Sequence, residues 1–214
     1  MSSDEEVRDD GRSLRAQRQR ETRRNEILTS ARKLFAARGY HETSISDLIE
    51  AAGIARGTFY LYFDSKRAIF DELLEDFLAL LTTEVRPVDV SPGAAPPREQ
   101  LQQIVRHTLQ TIVANRDLAG LVLRRAAGLD KDFDRKLSDF SSRIREIVGH
   151  ALTTGQDLGI VRPCNTAVVS TCLVGAVKEL VYEFLVAQDV GVLMDLDVLT
   201  REVLDVSMFG LLTR

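Results

Sequence analysis

The sequence predicts an all-α protein of about nine helices, with a three-helix head near the N-terminus and a larger helical bundle behind it. Three observations carry this. Apolar residues recur at helical spacing along most of the 214 residues, and no Gly-rich stretch alternates as a strand would. Five Pro and no Trp, set among abundant Leu, Ala, Val, Arg and Glu, suit helices. Between Thr43 and Lys66, two short apolar patterns flank a Gly, the layout of two helices joined by a tight turn.

Residues 1 to about 14 are acidic, then contain Gly and Ser, and carry almost no apolar side chains, so residues 1–17 are expected to form a disordered arm. Arg8, Arg12, Arg15, Arg18, Arg20, Arg23 and Arg24 crowd its end. The first helix is predicted from about Arg18 to Arg38, with Ile27, Ala31, Leu34 and Phe35 as its buried stripe and Gly39 closing it. In the second, Ile45, Leu48, Ile49 and Ala52 fall at i, i+3, i+4 and i+7. Ser44 precedes that run with Asp47 three residues on, a variant of the capping box, and Gly53 can take the positive φ that ends the helix. The third starts near Ala55 or Arg56 and runs through Tyr62, anchored by Phe59 and Phe63. Ser65 caps the fourth, from Lys66 to about Glu84, whose broad apolar face is Ile69, Phe70, Leu73, Leu74, Phe77, Leu80 and Leu81. The head is thus expected over residues 18–65 and a second domain over 66–214, with 66–84 connecting them.

Residues 86–97, rich in Pro, Gly and Ala, form a loop or linker. Helices are predicted over about Arg98–Asn115, 116–127, Asp130–Asp157, Asn165–Gln188 and Asp195–Leu212, with Gly155 and Gly159 breaking the chain at the end of the seventh. The eighth is apolar nearly all round from Ala167 to Val177, so it is buried on more than one side. Ala167, Thr171 and Gly175 make a small-residue ridge on it. The ridge fits either packing within the subunit or a two-fold interface of the eighth and ninth helices, to which Leu199, Val203 and Val206 would contribute. Cys164 and Cys172, about 12 Å apart on one helix, are too far apart for a disulfide and read as reduced, small core residues.

The third helix carries the chemistry. Arg56, Thr58, Tyr60, Tyr62 and Lys66 are donors able to reach phosphates or base edges, and Gly57 lets a backbone come close. A helical hairpin in an ordinary bundle would sooner show Glu and Lys on its solvent face. The net charge of −4 supports this once divided: residues 12–67 hold twelve Arg and Lys against six Asp and Glu, and the rest holds sixteen against twenty-six. A basic head on an acidic body suits a duplex-binding module. The arginine run before it reads either as a solvated tail or frayed helix start, or as an arm that follows the backbone or enters the minor groove.

These residues resemble a known family. Thr22, Ile27, Leu28, Ala31, Leu34, Phe35, Gly39 and Tyr40, then TSISDLIEAAGI over 43–54, then GTFYLYFDSK over 57–66, look like the TetR family of bacterial transcriptional regulators. The resemblance covers about residues 20 to 75. It implies a dimer that places two recognition helices in successive major grooves of a palindromic double-stranded DNA operator. By position it implies phosphate contacts from Thr43, Ser44, Tyr60 and Lys66, and base-edge contacts from Arg56, Thr58 and Tyr62. It also implies a small-molecule effector in the second domain that shifts the fourth helix, with repression as the leading mode. Two positions depart from the family pattern. Ala55 replaces a capping Ser, weakening the cap by about 1 kcal/mol, and Arg67 replaces an acidic residue, adding positive charge near the DNA side.

No nucleophile–base pair, metal-ligand cluster or phosphate loop is found, so the sequence points away from an enzyme and from any cofactor. The effector is expected to be largely apolar, from the Leu, Val and Ala content of the second domain. His107, Thr108, Thr111, Arg124, Arg125 and Tyr182 are candidate polar contacts, each also readable as a surface or core residue. The longest apolar run, Ala167 to Val177, is too short to span a bilayer, and a cytoplasmic protein is expected. Two rival functions remain: a helical small-molecule carrier without a DNA role, and an effector-independent DNA binder, whose second domain would be packed solid.

Overall fold

The computed structural model describes residues 3–125, 131–186 and 195–209, and every described element is helical apart from connecting turns and loops. Two compact units divide the chain, Met1–Leu73 and Leu74–Arg214.

In the first unit, α1 spans Ser3–Arg38, α2 Ile45–Ala52 and α3 Arg56–Tyr60, and α4 (Lys66–Glu84) begins there. Helix α1 starts at Ser3 and not near Arg18, so the expected disordered arm is helical from Ser3 onward. Low apolarity alone suggests disorder, but Arg, Gln, Glu, Leu and Ala are strong helix formers, and the acidic residues sit at the helix N-terminus, where the dipole favours them. Among the described side chains of α1, Leu34 of the expected stripe is half-buried, while Ile27, Leu28, Ala31 and Phe35 are buried. They meet Leu48, Phe59, Phe63, Ile69, Phe70 and Leu73 in one core. Phe70 packs against Phe35 and Tyr40 at ring separations of 5.9 and 4.8 Å. Burial pushes the Tyr40 phenol above its ordinary pKa. Gly39, at φ 88°, ends α1 by donating its N–H to the Phe35 carbonyl at 2.9 Å.

The box at the start of α2 is present. The Asp47 N–H donates to Ser44 Oγ at 3.1 Å, and the Ser44 N–H returns a bond to Asp47 Oδ2 at 2.8 Å. These bonds, with Arg38 nearby, hold the Asp47 carboxyl below its ordinary pKa. A depressed carboxyl contributes stability above its unfolded value and loses it as pH falls through the folded one. Asp47→Asn is therefore expected to flatten the acid limb of the stability curve below about pH 4, while lowering stability slightly at neutral pH. Urea midpoints between about pH 2 and 7 would check this, and parallel curves for variant and parent would refute it.

In the second unit, α5 spans Pro97–Ala114, α6 Arg116–Arg125, α7 Lys131–Asp157, α8 Thr166–Val181 and α9 Leu196–Phe209. A π-helical turn, Tyr182–Val186, extends α8, so the expected single helix to Gln188 changes pitch at Tyr182. Gln188, Gly128, Gly210 and Leu212, expected near helix ends, lie outside the described residues. Helix α7 packs along α8, and α5 along α9. Gly155 does not break α7. It sits within the helix, and a Cβ there would meet Val161 Cγ2 at 2.6 Å, so Gly is required where the chain folds back. Gln100 orders the 86–96 loop, donating to the Asp89 and Ala95 carbonyls at 2.7 and 2.6 Å. Among the described residues, no helix is long and apolar enough to cross a membrane.

Candidate nucleic-acid interface

The turn between α2 and α3 is made by Gly53 at φ 62°, the left-handed conformation that costs Gly least. Helix α3 then follows Ala55, whose side chain caps nothing, and lasts only five residues. Phe59 holds it, fully buried, with Phe63 beneath at a ring separation of 6.4 Å. Phe59 therefore fixes which face of α3 looks outward.

Arg56, Gly57 and Tyr60 are exposed and Thr58 is half-buried. The Arg56 guanidinium lies 6.0 Å from the Tyr60 ring centre and makes no ion pair or hydrogen bond among the described residues. A Cβ added at Gly57 would meet nothing within 4 Å, so this stretch of backbone is open to a close neighbour. Tyr62 lies beyond the end of α3, not on it as expected. Its carbonyl accepts a bond from Arg24 Nη1 at 3.0 Å. The same guanidinium makes a two-pronged ion pair with Glu72 and lies 4.4 Å from the Phe63 ring centre. Arg24 thus ties the end of α3 to α1 and to the start of α4.

Two expected phosphate ligands, Thr43 and Lys66, are engaged within the head. Thr43 is 1% exposed, and its hydroxyl donates to the Gly39 carbonyl at 2.8 Å. Lys66 Nζ donates to the Tyr40 and Thr43 carbonyls, both at 2.7 Å, and to that of His41 at 3.3 Å. It also sits 4.4 Å from the Tyr40 ring centre. An ammonium has three protons to donate, and all three are used on the loop between α1 and α2. Ser44 is exposed, but its hydroxyl is engaged by Asp47. Arg67 adds less free charge than expected, because its Nε donates to Asp71 at 2.8 Å one turn along α4.

The second unit holds a partly open cavity of about 780 Å³, so it is not packed solid. Its walls are mostly apolar: Phe77 and Leu81 from α4, Leu109 and Ile112 from α5, Val122 and Leu123 from α6, Phe140, Ile144 and Val148 from α7, Val177 from α8 and Leu204 from α9, with Ser141, Thr154 and Ser207 among them. Of the expected polar contacts only Thr108 lines it, and its hydroxyl already donates to the Ile104 carbonyl at 2.8 Å. His107 is exposed beside Glu84, and Thr111 and Tyr182 lie off the wall. The Arg124 and Arg125 side chains lie outside the described residues. Arg86, Asp134, His150 and Lys178, missed by sequence reasoning, also line it and are exposed.

The candidate interface residues separate into two groups. Leu199 and Val203 are 2% and 5% exposed and pack inside the subunit. Ala167, Thr171 and Gly175 are exposed, and Val206 is 75% exposed. Cys172, expected in the core, is exposed beside Thr171, while Cys164 precedes α8 and is half-buried.

Comparison with known proteins covers both units. Residues 27–73 match the family model described as bacterial regulatory proteins, tetR family, and residues 94–182 that of the tetracyclin repressor-like C-terminal domain. The chain is similar to the uncharacterized HTH-type transcriptional regulator YdgC of Bacillus subtilis, 26% identical over 194 residues, covering 89% of this chain and 93% of that protein. It is 37% identical over 91 residues to the HTH-type transcriptional repressor KstR2 of Mycobacterium tuberculosis, covering 42% of this chain and 44% of that one. The solved structure of that organism's ketosteroid transcriptional regulator KstR2 aligns with a TM-score of 0.71 at 25% identity, covering 90% of this chain and 96% of that one.

Proposed function

This chain belongs to the TetR family of bacterial transcriptional regulators, helix-turn-helix proteins and not enzymes, and from that premise we propose that it is a cytoplasmic repressor released from DNA by a largely apolar small molecule. The observation that carries the reading is the outward face of α3, where Arg56, Gly57, Thr58 and Tyr60 present free donors and open backbone. Arg56 and Thr58 approach base edges, Gly57 admits a phosphate, and Tyr60 and Tyr62 hold the flanking backbone. Two copies, joined through the exposed faces of α8 and α9, set two such helices one turn of duplex apart, about 34–36 Å. The effector occupies the cavity in the second unit. Helix α4 supplies Phe77 and Leu81 to that wall and Ile69 and Phe70 to the head core, so a ligand that moves it alters the head. A coupling of about 1–3 kcal/mol is typical of such switches.

KstR2 of Mycobacterium tuberculosis is described as a ketosteroid transcriptional regulator, so steroids are the first compounds to test. The experiment is a gel shift on the gene's upstream region, with added compounds. Arg56→Ala is expected to weaken binding at least tenfold by losing a base contact worth about 1–3 kcal/mol. One compound class is expected to release the DNA and raise the melting temperature. Binding without preference for a palindrome, or indifference to Arg56→Ala, would overturn the reading.

A further inference from the structure

Among the described side chains of α1, those preceding the head core have no packing role to explain them. Residues 15–23 are all exposed, and the first buried residue beyond them is Ile27. Arg15, Arg18 and Arg20 make no ion pair or hydrogen bond through their side chains among the described residues, and Glu21 is the sole acid between residues 12 and 24. Arg20 and Arg24 line a cleft with Leu61 and Tyr62, so the basic surface adjoins the end of the recognition helix.

We propose that this basic helical extension is a second DNA-binding surface, following the phosphate backbone outside the half-site read by α3. This rests on the DNA-binding reading above. Three physical points select the phosphate backbone. The surface is cationic and lacks the apolar face that a protein partner or a bilayer interface would require. Its helical form rules out minor-groove insertion, since a helix about 10–12 Å across does not enter a groove about 6 Å wide. Finally, at about 1.5 Å per residue the basic stretch from Arg12 to Arg24 is about 18 Å long, which matches about five base pairs of flanking duplex, and the acidic Asp4, Glu5, Glu6, Asp9 and Asp10 lie beyond it.

The test is the triple variant Arg15→Gln, Arg18→Gln, Arg20→Gln in the full chain. Gln keeps helix propensity, so circular dichroism should be unchanged. Binding is expected to weaken at least tenfold at about 0.15 M salt, equally for operator and unrelated duplex. The slope of log K against log salt should become shallower by about 0.9 for each phosphate no longer neutralised. Hydroxyl-radical protection outside the half-sites should vanish while protection inside remains. The matching triple Lys variant should restore the slope, because a phosphate needs only the charge. Unchanged slope and footprint in the Gln variant, with parent binding still sensitive to Arg56→Ala, would overturn this inference alone. A parent that does not bind DNA would instead overturn the reading beneath it.

Discussion

Replacing Lys66 with Met is expected to lower the melting temperature by about 6–12 °C and to cost most of the DNA affinity without changing how that affinity depends on salt. The ammonium is the common partner of the Tyr40, His41 and Thr43 carbonyls, where α1 has ended and α2 has not begun. Carbonyls at a helix end have no intrahelical donor. Charge-assisted bonds of this kind contribute about 1.5–3 kcal/mol each, and the site is only partly buried, so water recovers some of the loss. A net cost of about 3 kcal/mol remains, and a chain of this size loses about 2–4 °C per kcal/mol. The loop also positions Ser44, the cap of α2, so the recognition helix loses its mounting. Lys66→Arg is expected to recover only part of the stability, because a planar guanidinium cannot converge its donors on three carbonyls as an ammonium does. If Lys66 were instead a phosphate ligand, Lys66→Met would leave the melting temperature alone and make the salt slope shallower by about 0.9. Calorimetry and a salt titration on the same variant therefore decide between the two roles.

Lys66 also shows where the sequence stops being legible. The features it announces clearly are local: the Ser44–Asp47 box, the turn at Gly53, the missing cap at Ala55 and the Ser65 cap, whose Oγ accepts the Ala68 N–H at 3.1 Å. Each depends on residues within one helical turn of one another. What Lys66 and Thr43 do depends on partners fixed by tertiary packing, and for Lys66 these are more than twenty residues away. A polar residue next to a recognition helix reads as a ligand until its donors are seen to be used.

The cavity is hidden for the opposite reason. Its walls are mostly Leu, Ile, Val and Phe from six helices, the same residue types that fill a solid core, and periodicity reports burial without reporting what a residue is buried against. A search for polar contacts leads instead to the outer face of α5 at His107. The same ambiguity assigns Leu199 and Val203 to an interface when they pack within their own subunit. Along the sequence, Arg24 is one more cation in a basic run. Only its distances to Glu72, Tyr62 and Phe63 reveal it as the brace of α3.

Gly175→Arg is expected to yield a folded monomer that binds the operator at least a hundredfold more weakly than the parent. Along α8, Ala167, Val168, Thr171, Cys172, Gly175 and Ala176 are all exposed, and Val168 is 58% so. On α9, Val206 adds another exposed apolar side chain. Small residues at i, i+4 and i+8 let a second helix approach until backbones nearly touch, and an arginine at the third of them holds it away. Within one subunit the substitution is harmless. A Cβ at Gly175 meets nothing within 4 Å, and replacing a mid-helix Gly favours the helix by about 0.5–1 kcal/mol. This separates the variant from ordinary destabilising changes, because the fold should hold while the pairing fails. Linking two reading heads raises affinity by about 10²–10⁴ over one head, and a monomer forfeits that gain. Analytical ultracentrifugation should show one species of half the parent mass, and a gel shift should show binding that no longer distinguishes a full palindrome from a half-site. Gly175→Ala, which adds only a methyl group, should weaken the dimer slightly and leave operator preference in place. A Gly175→Arg protein that stays dimeric with parental affinity would place the subunit contact elsewhere on the molecule and leave the exposed ridge of α8 without a role in DNA binding.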